Sequence, residues 1–358
     1  MKDKNFTIFL VLKDRPAYTI RFMQCMNFLE YPFNIIIADG GRNEMIQNIL
    51  KEKNNFPNLN YEYEHYGYDK TLDDFYNKMA LSIDKINTPL ASVMDNDDFF
   101  ILDGVAKCIN FLKNNKNYSS ARGAINSISV SQDVIGYLNV GKNMYSKYMD
   151  HIIGESASQR VLNQSAMFHS NWHNVARSNH LKACWNMINL VKPQNMRFTE
   201  QITGYLNIVW GHGHRDDFLW LLHQHGQRIE LNDKSLQLHF PEQEKWIKSD
   251  YWLENFNKMT EVVATAISHH DNINFEMAAE SFRKSYVKKL PHLEKLLTSR
   301  INEASSIGYN EARIQELFNI IKKYKVLQVD PIEDVAYNFP SSEQEIFLLQ
   351  KFLLGEIK

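Results

Sequence analysis

Cysteine is scarce. Cys25, Cys108 and Cys184 are too few and too scattered for a disulfide framework or a zinc knuckle, and this usage fits a reducing, intracellular setting. No charge of one sign is in excess: 40 basic against 42 acidic residues leave a net charge of −2. That balance argues against a general nucleic-acid binder, which needs a basic surplus to neutralise phosphates. Long hydrophobic runs are missing as well. The opening FTIFLVL (Phe6–Leu12) is too short for a membrane span and lacks a small-residue cleavage site, so it reads as a buried strand. Internal repeats and low-complexity tracts are absent. So are a G-x-S-x-G elbow, a P-loop and a G-x-G-x-x-G in strand–turn–helix context, which removes the usual support for hydrolase, ATPase and dehydrogenase readings. What remains is a 358-residue chain, 44% apolar and 23% charged, long enough for a sizeable core and typical of a soluble globular enzyme.

The first hundred residues alternate strand and helix signals, the pattern of an α/β fold on a mostly parallel sheet. Strands are expected over Phe6–Leu12, Phe33–Gly41, Leu59–Tyr66 and Pro89–Phe100. Helical spacing of apolar residues predicts helices over Ala17–Leu29, Asn43–Glu52, Thr71–Ile86 and Gly104–Asn114. ARGAINSISV and DVIGYLNV read as strands and loops, and Leu181–Val191 as a helix. HRDDFLWLLHQHGQRIEL (His214–Leu231) reads as an amphipathic helix, a glycine stop at Gly226 and a short strand; SLQLHF (Ser235–Phe240) follows as another strand. Beyond about Pro241 strand signals nearly vanish. The expected division is a catalytic part over 1–245 and a helical C-terminal extension over 246–358.

Three acidic clusters carry chemistry. Asp95-Asn96-Asp97-Asp98 directly follows an apolar strand, at the edge where open α/β sheets bind ligands. Its carboxylates form a hard oxygen-rich site suited to Mg²⁺ or Mn²⁺ holding phosphate oxygens. The plain alternative is a solvated acidic turn. Asp39-Gly40-Gly41 ends the second strand, where glycines let backbone approach a ligand and the carboxylate can accept from a base or ribose. Asp216-Asp217 opens the expected helix; a structural cap explains one of the two and leaves the other as a candidate general base. Among the histidines, most read as satisfied imidazoles, and His239 is set apart by its place on a strand returning toward the site.

Together, FTIFLVLKDRPAYTIRFMQCMNFLEYPFNIIIADGG, TPLASVMDNDDFFILDGVAKCINFL and HRDDFLWLLHQHGQRI resemble, in order, the family-2 glycosyltransferases of bacteria, over about residues 5–240. The resemblance implies the GT-A fold, a Rossmann-like sheet flanked by helices. It implies that Asp39 binds the nucleotide base, that Lys13 and Arg15 line the same pocket, and that Asp95, Asp97 and Asp98 form the D-x-D motif. On that reading Asp97 and Asp98 hold the metal, with His239 as an added ligand, and Asp95 lies closer to the ribose or sugar. Asp217, with Asp216 beside it, becomes the base of an inverting displacement. Lys13-Asp14-Arg15 departs from the family's commoner first loop, and Ala38 stands where many members carry a second acid.

The implied function is metal-dependent transfer of a sugar from a nucleotide-sugar donor to a hydroxyl of a glycan or glycolipid, as in surface polysaccharide assembly. A nucleotidyltransferase is the rival enzyme, although Leu12–Tyr18 has no glycine for the loop it normally uses; a non-catalytic nucleotide-binding scaffold is the other. YVKKLPHLEKLLTSRI and IQELFNIIKKYKVL place lysines beside apolar stripes, a pattern suited to a membrane surface or a partner subunit as well as to packing on the catalytic part. A cytoplasmic location, with access to the inner face of the cell membrane, follows from these readings.

Overall fold

Uninterrupted apolar runs in the first hundred residues form parallel strands covered on both faces. A computed structural model describes residues 3–130, 138–143, 150–224, 243–353 and 355–356. Strands β1 (Phe6–Leu12), β2 (Asn34–Asp39), β3 (Asn60–His65) and β4 (Leu90–Met94) lie in the order β3-β2-β1-β4, all parallel. Alternation divides each strand between two cores. Phe6, Ile8 and Leu10 join Phe22 and Met26 of helix α1 (Pro16–Phe28), while Phe9 and Ile36 join Met79 and Ile83 of a helix on the other face. Helix α2 (Glu44–Lys51) and that second-face helix, α3 (Leu72–Ile83), complete the crossovers; Thr71 and Asp74 cap α3 reciprocally. The register sets Leu12 beside Asp39 and Asp39 beside His65, so the loops after β1, β2, β3 and β4 leave from one edge.

A two-residue strand, β5 (Phe99–Phe100), and helix α4 (Leu102–Asn114) follow. The sheet then continues as β4-β8-β6-β9-β5 through β6 (Tyr118–Val130), β8 (Val175–Arg177) and β9 (His212–Gln224), with β7 (Leu138–Asn143) paired to β6. Helices α5 (Ala157–Ala166), α6 (Ser178–Val191) and α7 (Met196–Val209) fill the connections.

The expected helix after His214 is instead strand β9. Phe218–Leu222 is a short continuous apolar run, which fits a buried strand and a buried helix equally by periodicity. Pairing with β6 on one side and β5 on the other decides it, and Trp220, Leu221 and Leu222 are buried. The register shifts at Arg122/Ala124, and a Cβ at Gly123 would stand 2.0 Å from the Phe218 carbonyl oxygen, so this bulge requires glycine. The stretch expected as strand over 235–240, with His239, lies outside the described residues.

Helices α8 (Gln243–Lys248), α9 (Asp250–Asp271), α10 (Phe275–Val287), α11 (Glu294–Ile307) and α12 (Glu311–Lys323) follow. Trp252, Phe256, Phe282 and Tyr286 share one core with Phe198, Ile202 and Tyr205 of α7. No helix among the described residues is long and apolar enough to cross a membrane.

After α12 the chain crosses back to the first strand. The Asn5 amide donates to the Glu333 carbonyl (3.1 Å), and the Tyr337 hydroxyl donates to Asp3 (2.9 Å). Helix α13 (Ser342–Leu353) then presents Glu345, fully buried, whose carboxylate oxygens accept the Leu102 N–H at 3.0 and 2.8 Å. This side chain is the cap of α4, supplied from the far end of the sequence. Burial pushes its carboxyl up to about 8. Because the folded state holds that proton more tightly, this group's contribution to stability declines as pH rises from the ordinary glutamate range toward 8. Glu345→Ala is expected to lower unfolding stability by about 1–2 kcal/mol, as loss of an N-cap does, and Glu345→Gln to flatten that pH slope. Urea unfolding at several pH values measures both.

Candidate active site

Chain pairing assembles the centre of the site. Phe99 of β5 lies opposite Leu222 of β9, so the next residues outward, Asp98 and His223, meet. His223 Nδ1 donates to Asp98 Oδ2 at 2.8 Å, and the Gln224 N–H donates to Asp98 Oδ1 at 2.9 Å. His173, just before β8, brings Nε2 to 3.2 Å from Asp98 Oδ2 and 3.8 Å from Asp95 Oδ2. Two anchors on β4 hold that imidazole: Ser92 Oγ donates to the His173 carbonyl, and His173 Nδ1 donates to the Val93 carbonyl at 3.0 Å. One ligating atom each from Asp98, His173 and His223 lie within 4.8 Å of one another, a set that could hold a metal ion.

The electrostatics follow from burial and these bonds. Burial alone would raise the Asp98 carboxyl, but hydrogen bonds from His173 and His223 hold it below the usual carboxylate range. Burial alone would lower His173; its bond to Asp98 and the charges of Asp95 and Asp98 raise it to about 9. Burial would lower His223 as well, and its own bond to Asp98 moves it up. Asp95 is raised to about 6, first by desolvation and then, against the pull of His173, by Asp98 and Asp97. Its side chain remains 44% exposed, so solvent screening keeps the direction and trims the size.

The loops after β1 and β2 form a second part at the same edge. Asp39 is buried: Oδ1 accepts the Gly41 N–H at 2.7 Å and Oδ2 accepts the Tyr63 hydroxyl at 2.8 Å. Leu12, Asp14, Thr19, Asp39, Gly41 and Asn43 line a small pocket there. Asp14 and Arg15 are consecutive left-handed residues (φ 53° and 59°), a strained turn that sends Arg15 to Asp97 at 2.8 Å. The Lys13 ammonium lies 5.0 Å from the Tyr68 ring centroid, and the Arg42 guanidinium 3.5 Å from the same ring. A larger cavity, about 430 Å³, opens at the opposite edge by Thr7, Asn34, Asn60 and Thr88, but no histidine lines it.

The structure thus brings Asp39, Lys13, Arg15, Asp95, Asp97 and Asp98 to one edge. It does not bring Asp216 and Asp217 there. They sit at the bulge of β9, six residues and roughly 20 Å of strand before His223 at ~3.3 Å per residue. Asp216 faces His214 Nε2 at 3.4 Å and accepts the Asp217 N–H at 2.8 Å.

A further carboxylate, Glu200, lies on the second turn of α7 and interacts electrostatically with Asp95 after β4. Tyr76 fixes this end of the helix, donating to the Pro193 carbonyl at 2.8 Å and sharing a 2.7 Å hydrogen bond with Thr199. Burial raises the Glu200 carboxyl, Lys289 and Arg197 oppose that rise, and Asp95 adds to it. Sequence reasoning missed Glu200 because α7 was not read. Its signal was present: Asn195 as cap, then Phe198, Ile202, Tyr205, Leu206 and Val209 at helical spacing. His173 sits in a connecting loop with no motif around it.

No protein-family model matches the sequence, and no curated protein does. Three crystal structures of S. aureus TarS, residues 1–349, are similar in chain path. One has 10% identity and a TM-score of 0.47, covering 90% of this chain and 92% of that one. The complex with UDP-GlcNAc has 11% identity and a TM-score of 0.49, covering 94% and 100%. The complex with UDP has 12% identity and a TM-score of 0.48, covering 95% and 99%.

Proposed function

We propose that this chain is a GT-A-type glycosyltransferase that moves a sugar from a nucleotide-sugar donor to a hydroxyl of a glycan or glycolipid acceptor. The observation that carries the reading is the meeting, at the carboxyl edge of one sheet, of the Asp98–His173–His223 cluster with the Asp39–Tyr63 pocket. One carboxylate and two imidazoles suit Mn²⁺ better than Mg²⁺. With the Nδ1 N–H spent on Val93, loss of the Nε2 proton turns the Nε2 lone pair of His173 toward the ion. A divalent ion held by Asp98, His173 and His223 would supply neutralisation of the charge on a diphosphate leaving group.

The chain's own residues do the rest. Asp39 accepts a hydrogen bond from the donor's base, with Tyr63 and Gly41 fixing its carboxylate. Arg15, turned inward and clamped by Asp97, and Lys13 place positive charge beside the phosphates, and Asp95 faces the sugar side. Glu200 takes the acceptor proton in an inverting displacement, its burial keeping the carboxylate basic enough for the task. Residues 1–245 carry donor chemistry, and within 246–358 helices α9 and α10 buttress α7.

The test is a thermal-shift panel of UDP, GDP and CDP with and without Mn²⁺, followed by hydrolysis of the matching nucleotide sugars. A Mn²⁺-dependent shift with one nucleotide supports the reading. No shift with any of them overturns it in favour of a non-catalytic scaffold. Asp39→Ala is expected to weaken nucleotide binding by about 1–3 kcal/mol, the cost of leaving a buried donor unmatched, as measured by calorimetry.

A further inference from the structure

Helix α1 holds both the acidic loop and the end of β9. Arg15, at its N-cap, reaches Asp97, and the Thr19 hydroxyl accepts from the Asn96 amide at 2.9 Å. Arg21 makes a third tie, donating from Nη2 to Gln224 Oε1 at 2.6 Å. Its guanidinium lies over two rings, 4.8 Å from the centroid of Tyr18 and 5.5 Å from that of Phe99, the residue after Asp98. A guanidinium only donates, so it fixes the Gln224 amide with the carbonyl toward α1. Gln224 is 6% exposed and its Nε2 has no hydrogen-bond partner among the described residues, so the bond to Arg21 orients this side chain.

The backbone of Gln224 carries that hold into the cluster. Its N–H donates to Asp98 Oδ1 at 2.9 Å, and the residue before it, His223, donates from Nδ1 to Oδ2 of the same carboxylate at 2.8 Å. Strand β5 pairs with β9 only as far as Leu222. On that side the last two residues of β9 are held by Asp98 and, through Gln224, by Arg21.

We infer that Arg21 is a positioning residue of the Asp98–His173–His223 cluster. Acting through Gln224, it sets the end of β9 so that Asp98 and His223 present their ligating atoms together. The inference rests on the reading of this cluster as the holder of a divalent ion. It carries a sign that charge alone does not give. A guanidinium beside a cation site repels the ion, so removal of an Arg21 that acted by charge would tighten Mn²⁺ binding. Removal of an Arg21 that acts by position weakens it, because loss of the groups that orient metal ligands costs about 10–100-fold in affinity.

Calorimetric Mn²⁺ titration of Arg21→Met is therefore expected to show binding about 10–100-fold weaker than wild type. Gln224→Met keeps the backbone N–H, removes the side-chain carbonyl, and should show a similar loss. The double variant should lose no more than either alone, because the two side chains act in one chain of contacts. Metal-free protein gives a second readout: the His223 Nδ1–H proton resonance, assigned with His223→Gln, should shift in both single variants as its bond to Asp98 is disturbed. Unchanged or tighter Mn²⁺ binding in folded Arg21→Met overturns the inference, and so do losses that add in the double variant. If Arg21→Met does not fold, Gln224→Met is read by the same criteria. If the wild-type protein binds no Mn²⁺, the metal reading fails by itself. The His223 resonance then decides whether Arg21 sets the cluster: a shift upholds it and an unmoved signal overturns it.

Discussion

Glu200→Gln is expected to lose transfer by about 10²–10⁴-fold, the usual scale of general base catalysis, while binding the nucleotide-sugar donor normally. The substitution keeps the side chain's shape and removes its ability to take a proton. Wild-type transfer should fall as pH drops through a midpoint above the ordinary glutamate range, since burial disfavours the charged carboxylate. The contrast lies in Asp216→Asn and Asp217→Asn. Both positions sit at the β9 bulge, away from the cluster, and both variants should transfer at near the wild-type rate. Loss of transfer in Asp217→Asn with normal activity in Glu200→Gln would return the base to β9.

Asp98→Asn should remove Mn²⁺ binding and destabilise the protein at once. Asp98 is fully buried between two imidazoles and a backbone N–H, so the variant leaves His173 without its counter-charge. Breaking a buried pair in this way costs about 3–5 kcal/mol, measurable by urea unfolding. The pH dependence has a definite sign. Asp98, held low in the folded state, contributes stability above the unfolded carboxylate range and loses it only in strong acid. His173, raised to about 9, contributes below the unfolded histidine value of about 6.5 and loses that contribution as pH climbs to about 9. Metal-free protein should therefore grow less stable from neutral pH to about 9. Mn²⁺ affinity should run the other way, rising about tenfold per unit over that range as the His173 proton becomes easier to displace. Calorimetric Mn²⁺ titrations across pH decide it: a flat affinity would place the ion away from His173.

The gathering of the strand-end acids at one edge was legible because its signals are local. Asp39 and the Asp95–Asp98 run each end an uninterrupted apolar strand, and a parallel sheet places strand ends together whatever the loops do. The meeting of Asp98 with His173 and His223 was not. His223 and Asp98 are 125 residues apart and meet only because a two-residue strand pairs with the end of β9. Reading Phe218–Leu222 as helix put Asp216 and Asp217 at a helix start, and the same misreading left His223 among the satisfied imidazoles. Glu200 was lost with α7, whose apolar face is nearly continuous because it is buried on several sides. Tertiary neighbours, rather than spacing, choose between strand and helix for such runs.

The capping of α4 by Glu345 bears on the order of events during synthesis. The acceptor of the Leu102 N–H lies 243 residues downstream. At about 5–20 residues per second, the helix that directly follows the acidic loop waits roughly 10–50 s on the ribosome for its cap. Until α13 emerges, the parallel half of the sheet can form its hydrogen bonds and bury α1 and α3, but the start of α4 stays frayed. The site is therefore completed late, by α13, and a nascent chain that stalls before that helix should hold a formed Asp39–Gly41 turn beside a loosely set Asp98.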